Sequence, residues 1–236
     1  MSGGRTGPRR ILVGAGCFAD ARAALRLLER LEGPHMAEIH GVLVEETAIS
    51  GAAMPCQRVV TIAGALTVVP SAQQLRRQFE SDARAFRRML SEIAGSGKWS
   101  FEQREGELIG HLREAARGWD MLLVGHRKTQ PLTGRVILIA PPAGASPQAA
   151  DFAAELADVL GAPVQRLAVT PEDDADHASA AALLERLGRI PAAAVVIDLP
   201  AGGLARPDRL QAVIDAARCP TFVLGPDGNG ADSGEG

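Results

Sequence analysis

Two stretches decide the fold: "ILVGAGCFADARAALRLLERLEG" at residues 11–33 and "ILIAPPAGASPQAADFAAELADVLG" at residues 137–161. Each opens on a short run of branched apolar residues, crosses a small loop, continues with helical period and stops at a glycine. In the first, Ala23, Leu27, Leu28 and Leu31 recur at helical spacing while Arg22, Arg26 and Arg30 lie on another face. Gly33 and Pro34 then end the helix. In the second, a strand from Val136 leads into a helix over Ser146 to Leu160, closed by Gly161 and Pro163, with a strand from Val164 to Val169 beyond. The two openings match in order, length and punctuation, which predicts an internal duplication.

Outward from the first opening, a strand over Glu38 to Glu45 precedes an apolar, glycine-containing stretch from Ala48 to Pro70, which reads as an insertion. A helix over Ser71 to Ala94, an alternating strand from Trp99 to Arg104, a helix from Glu107 to Arg117 and a buried strand from Met121 to Val124 follow. Short Val/Ile/Leu runs alternating with longer helical segments are the pattern of a parallel sheet covered by helices, so the class is α/β, doubly wound. Only about ten residues, Pro131 and Gly134 among them, separate Val124 from the next strand at Arg135 to Ala140. A parallel crossover needs about a dozen or more and normally carries a helix. The first half is therefore expected to end there.

The second half continues through an acidic run, Glu172 to Asp176, a helix over Ala178 to Leu187, a strand from Ala194 to Leu199, a helix over Asp208 to Ala217 and a last strand, Thr221 to Leu224. The expected organisation is one α/β domain over residues 8–128 with an apolar insertion at 48–70, a second, shortened domain over 135–225, and a glycine-rich polar tail at 226–236 read as disordered.

Composition narrows the function classes. Hydrophobic residues make up 46% of the 236-residue chain and charged residues 22%, which supports a packed core. Aromatics are 3%, tyrosine is absent and the formal net charge is −3, so the basic grooves and stacking rings of a nucleic-acid binder are not apparent. Cys17, Cys56 and Cys219 are odd in number and widely spaced, which fits a reducing compartment better than a disulfide framework. No secretory leader is legible, and the longest other apolar run, Val59 to Pro70, falls short of the ~20 residues that span a bilayer. The expectation is a cytoplasmic protein with neither nucleic acid nor membrane as partner.

The text "ELIGHLREAARGWDMLLVGHRK" at residues 107–128 resembles the signature of universal stress proteins, in which a helix ends in an Asp that opens a buried strand closing on Val-Gly. "LQAVIDAARCPTFVLG" at residues 210–225 resembles the last helix and last strand of the same family, including the Cys219-Pro220 step. The resemblance implies a five-stranded parallel sheet per domain, here in two tandem degenerate copies. It also implies a stress-response or regulatory role rather than an enzyme, and dimers formed through the last strand. Many members bind ATP through Gly-x-x-Gly-x9-Gly-Ser/Thr after the fourth strand and an Asp ending the first. Such glycines let backbone N–H groups approach phosphates at a helix N-terminus.

This chain departs from that pattern. Gly125 fits the first glycine, but Lys128 stands at the second, and "TQPLTGRV" runs into the next strand with no helix. The first strand ends Gly14, Ala15, Gly16 without an Asp, and its counterpart ends Ala140, Pro141, Pro142. The fourth strand of the second half ends Asp198, Leu199, Pro200, then Gly202 and Gly203. Two readings follow. The nucleotide site has decayed, no cofactor binds, and the fold serves as a homodimerising or partner-binding module. Alternatively Gly14, Ala15, Gly16, Gly125, His126, Arg127 and Lys128 build a variant site for ATP or AMP from backbone amides and positive charge.

Other constellations carry less. "GSGKWS" at residues 95–100 has the Gly-Lys of a P-loop, but it follows a helix and Trp99 replaces the Ser or Thr, so it reads as a turn. The "GAG" at Gly14 lacks the third glycine of a dinucleotide fingerprint, although it stands where open α/β sheets bind ligands. The five histidines are scattered, and none makes a metal pattern. Cys17 stands near a helix start, where the dipole lowers a thiol's pKa, yet the preferred reading is an inert small hydrophobe. No G-x-S-x-G elbow occurs, and the acidic run lacks calcium-loop spacing. Association is expected through the final strand, Thr221 to Leu224, or through the apolar insertion.

Overall fold

The computed structural model describes residues 9–31, 36–45, 58–60, 66–68, 71–126, 134–169, 177–199, 204 and 206–225. The first half runs β1 (Arg9–Ala15), α1 (Phe18–Leu31), β2 (Met36–Glu45), β3 (Arg58–Val60), β4 (Leu66–Val68), α2 (Ala72–Ala94), β5 (Lys98–Glu105), α3 (Leu108–Ala115) and β6 (Met121–Val124). The second runs β7 (Arg135–Ala140), α4 (Pro147–Leu160), β8 (Val164–Ala168), α5 (His177–Arg189), β9 (Ala192–Asp198), α6 (Pro207–Ala217) and β10 (Thr221–Leu224). Local chemistry sets several of these boundaries. Ser71 and Gln74 form a reciprocal capping box at the start of α2, and Gly161 closes α4 in a left-handed conformation.

Eight strands form one sheet in the order β5-β2-β1-β6-β10-β9-β7-β8, and β3 pairs with β4 as a separate antiparallel ribbon inside the expected insertion. Seven pairs of neighbours make the large sheet, and among them only β6 with β10 is antiparallel. Two four-stranded parallel groups therefore run in opposite directions across that seam. The strands holding Met121 and Ile137 are not neighbours, because β10 and β9 stand between them. This agrees with a connection too short for a crossover.

The seam corrects one expectation. The last strand was expected to offer an open edge for association, but β10 is hydrogen-bonded on both sides, to β9 in parallel and to β6 antiparallel, Thr221 opposite Val124. Its four residues are buried. With the backbone groups of both edges used inside the chain, association through this strand is closed. Among the described residues the outermost strands of the sheet are β5 and β8.

Helices cover both faces, as continuous apolar strands require. One core gathers α1, α2 and α4 against alternate residues of the sheet, including Val13, Leu43, Leu123, Leu138, Val196 and Phe222. The opposite core gathers α3, α5 and α6 against Leu12, Val44, Leu122, Ile139, Ile197 and Val223. Fully burying one such side chain stabilises by about 1.5–3 kcal/mol, so both faces anchor the ends of the strands that position the candidate site.

Candidate functional site

In an open parallel sheet, ligands sit beyond the carboxyl ends of two neighbouring strands whose connections leave in opposite directions. In the first half these are β1 and β6. Gly14 is in register with Val124, and the Gly125 N–H donates to the Gly14 carbonyl at 2.8 Å. Gly14, Ala15, Gly16, Gly125 and His126 are thereby brought together at one end of the sheet, as the sequence placed them. Arg127 and Lys128 lie outside the described residues.

The two glycines on adjacent strands serve packing. A Cβ on Gly14 would stand inside the side chain of Leu112 from α3, which rests on the strand at that point. A Cβ on Gly125 would meet the Asp20 carbonyl oxygen at 2.5 Å and its carbon at 2.7 Å, so α1 begins against the bare backbone of residue 125. Only Gly16 faces open space, with the Val44 carbonyl 4.0 Å from a Cβ built there.

The start of α1 is occupied by the chain itself. The Phe18 N–H donates to the Asp82 carboxylate at 2.9 Å, and Asp82 is held from behind by Gln78 Nε2 at 2.7 Å. The Cys17 thiol donates to Asp20 Oδ2 at 3.1 Å. Burial, then that hydrogen bond, push the thiol up to about 11, the opposite of a helix-activated cysteine. This agrees with the inert reading of Cys17.

The equivalent place in the second half lies between β7 and β9. Pro141 and Pro142 follow β7 and contribute no N–H, and Arg166 on β8 fixes their carbonyls at 2.6 and 2.9 Å. Asp198, the last residue of β9 and 3% exposed, accepts the Ser146 N–H at 2.6 Å, and Ser146 Oγ in turn accepts the Ala149 N–H. The start of α4 is therefore also filled by a carboxylate of the chain. At both places the amide at the helix start is already bonded to a carboxylate of the chain, which disfavours a further anion there.

Asp82 and Asp198 are the residues that sequence reasoning missed. Asp82 lies 64 residues from its partner, and no local pattern reports that bond. Asp198 had a signal, because a carboxylate ending a strand whose seven residues are all buried requires a partner. Elsewhere, Glu107 caps α3 by accepting from Ile109 and Gly110. Asp120 of the 107–128 stretch sits at the opposite end of the sheet, where it accepts the Arg10 N–H at 2.7 Å. The Arg10 guanidinium lies over the Trp119 ring, so this Asp braces β1 against β6. His40 is likewise engaged, with Nδ1 2.7 Å from Ser100 Oγ and its ring stacked on Trp119. Among the described residues no group of His, Cys, Asp or Glu is placed to hold a metal ion, and no helix is long and apolar enough to cross a membrane.

No family model and no curated protein matches the chain. Among solved structures it is similar to a universal stress protein from Archaeoglobus fulgidus DSM 4304, with 11% identity over 91% of this chain and 95% of that one, at a TM-score of 0.47. A putative universal stress protein from Pseudomonas aeruginosa UCBPP-PA14 gives 13% identity over 92% and 93%, at 0.42. The cytoplasmic domain of a prokaryotic cation chloride cotransporter gives 12% over 94% and 97%, at 0.38.

Proposed function

We propose that this chain is a universal-stress-protein-like regulatory protein that performs no catalysis, with two degenerate nucleotide seats and a tendency to self-associate. The carrying observation is that each helix start beside a switch point of the sheet holds a carboxylate of the chain, Asp82 on Phe18 and Asp198 on Ser146. Pre-organised N–H groups at such a place favour an anion, and here the anion is built in. The motifs at residues 107–128 and 210–225 support the family reading, and the missing first-strand Asp and the Lys128 substitution support loss of nucleotide binding.

The competing reading, an ATP or AMP binder using Gly14, Gly16 and Gly125 with Arg127 and Lys128, has the open space at Gly16 in its favour. Mass spectrometry of the supernatant after denaturing freshly purified protein separates the two. The proposal expects no stoichiometric adenine nucleotide. A nucleotide released one-to-one with the chain would replace the proposal with the competing reading.

A further inference from the structure

Helices α1, α2 and α4 share one face of the sheet; α1 packs on α2 and meets α4 on its other flank. Charge is divided along this layer. α1 exposes Arg22, Arg26 and Arg30 on one stripe, with Glu29 among them, and α2 exposes Arg77, Arg84 and Arg88 on another, flanked by Glu80 and Glu92, so bases outnumber acids on both. Among the described residues none of these six arginines is in an ion pair. α4 carries no basic residue. It exposes Asp151 and Asp158 on a common face, while its Glu155 is bonded to Arg9.

The acidic end of the layer is also uncovered. In the first half, α2 lies over β2, and Phe86 and Leu90 pack on Ile39, Gly41 and Leu43. In the second half β8 occupies the corresponding place beside β7, and among the described residues no helix lies beyond α4. Val164, Arg166 and Ala168, the β8 residues that share α4's face by register with Val136, Leu138 and Ala140, are all exposed. Val159 and Val164, at 37% and 43% exposure, are two of the three exposed large hydrophobics among the described residues. The flank carries one exposed base, Arg166, bonded to the Pro141 and Pro142 carbonyls; the aspartates of α4 beside it suit a basic helical surface, and this chain carries such a surface in the same layer.

Resting on the self-associating reading above, we propose that two copies of this chain pair through these layers, α4 of each lying on α1 of the other. Because β1 and β7 run in opposite directions, α1 and α4 are antiparallel within one chain. A two-fold axis running along the helices between them sets α4 antiparallel on the partner's helix, with Asp158 facing the position of Arg22 and Asp151 that of Arg30. The rise of an α-helix makes the spacings agree, about 10.5 Å between the aspartates and about 12 Å between the arginines. The α2 arginines then fall at the open flank beside Val159 and Val164. Each contact occurs twice, so the interface closes as a dimer and does not propagate.

The test is sedimentation equilibrium of the full chain and two double variants, Arg22→Glu with Arg30→Glu, and Asp151→Lys with Asp158→Lys. All four positions are exposed, and circular dichroism confirms that the fold is kept. The wild type is expected at twice the 24.7 kDa chain mass, its dissociation constant rising with salt. Each double variant alone raises that constant at least about tenfold, and an equimolar mixture of the two restores a heterodimer of wild-type affinity. A wild-type monomer at micromolar concentration and low salt overturns both this interface and self-association. A dimer indifferent to both reversals, or a mixture that fails to restore pairing, overturns this interface alone.

Discussion

Replacing Asp198 with alanine removes the carboxylate that the Ser146 N–H donates to at 2.6 Å and leaves that half-buried donor at the start of α4 without it. A hydrogen bond to a charged group contributes about 1.5–3 kcal/mol. The same negative charge at a helix N-terminus contributes about 0.3–1 kcal/mol, rising to about 2 kcal/mol where partly buried. The two overlap, and relief from burying the charge offsets part of them. The expected loss is about 2–3 kcal/mol, with a fall in Tm of roughly 4–12 °C for a chain of this size. Asp198→Asn keeps an acceptor at the same place and is expected to cost about 1 kcal/mol. Urea unfolding followed by far-ultraviolet circular dichroism measures both, and amide exchange at Ser146 reports the bond itself. An Asp198→Ala variant within about 0.5 kcal/mol of wild type, with Ser146 still protected, refutes the reasoning.

Two other substitutions test the same neighbourhood. Gly125→Ala sets a Cβ against the backbone of Asp20, which has no rotamer to give, and is expected to cost about 1–3 kcal/mol in urea unfolding; an unchanged midpoint contradicts the packing role of this glycine. Cys17, with its thiol pushed up to about 11 against an ordinary 9.0, holds roughly a hundredfold less thiolate near pH 8 than an ordinary cysteine. In a Cys56→Ser background its alkylation by iodoacetamide is therefore expected to be slower by about that factor and to accelerate up to about pH 11. Alkylation at the rate of a free thiol speaks against a half-buried, protonated Cys17.

Elements with a local signature were legible in the sequence. Met121–Val124 is a short uniformly apolar run and Thr221–Leu224 a β-branched and apolar one, and the strands occupy those residues. The helix read over Ser71 to Ala94 is α2, with Ser71 as its N-cap. The seam was not legible, since a four-residue run buried on both faces carries nothing that specifies a parallel or an antiparallel neighbour. Association through β10 was one expectation and pairing of the two halves within one chain the other, and β10 is found inside the sheet. At the candidate site, Gly14 and Gly125 were located correctly beside each other. A missing Cβ makes room equally for a phosphate or for a neighbouring helix, and only the positions of Leu112 and Asp20 decide which. The carboxylates of Asp82 and Asp198 depend on contacts 64 and 52 residues apart, beyond the reach of any local pattern.

The central claim is that the helix starts beside the two switch points of the sheet, where an anion would be favoured, are filled by the protein's own carboxylates. Titration calorimetry of the wild-type chain with ATP and with AMP, with and without magnesium, tests it most directly. The account predicts no saturable binding tighter than about 100 μM. A dissociation constant at or below about 1 μM, equivalent to about −8 kcal/mol, would contradict it.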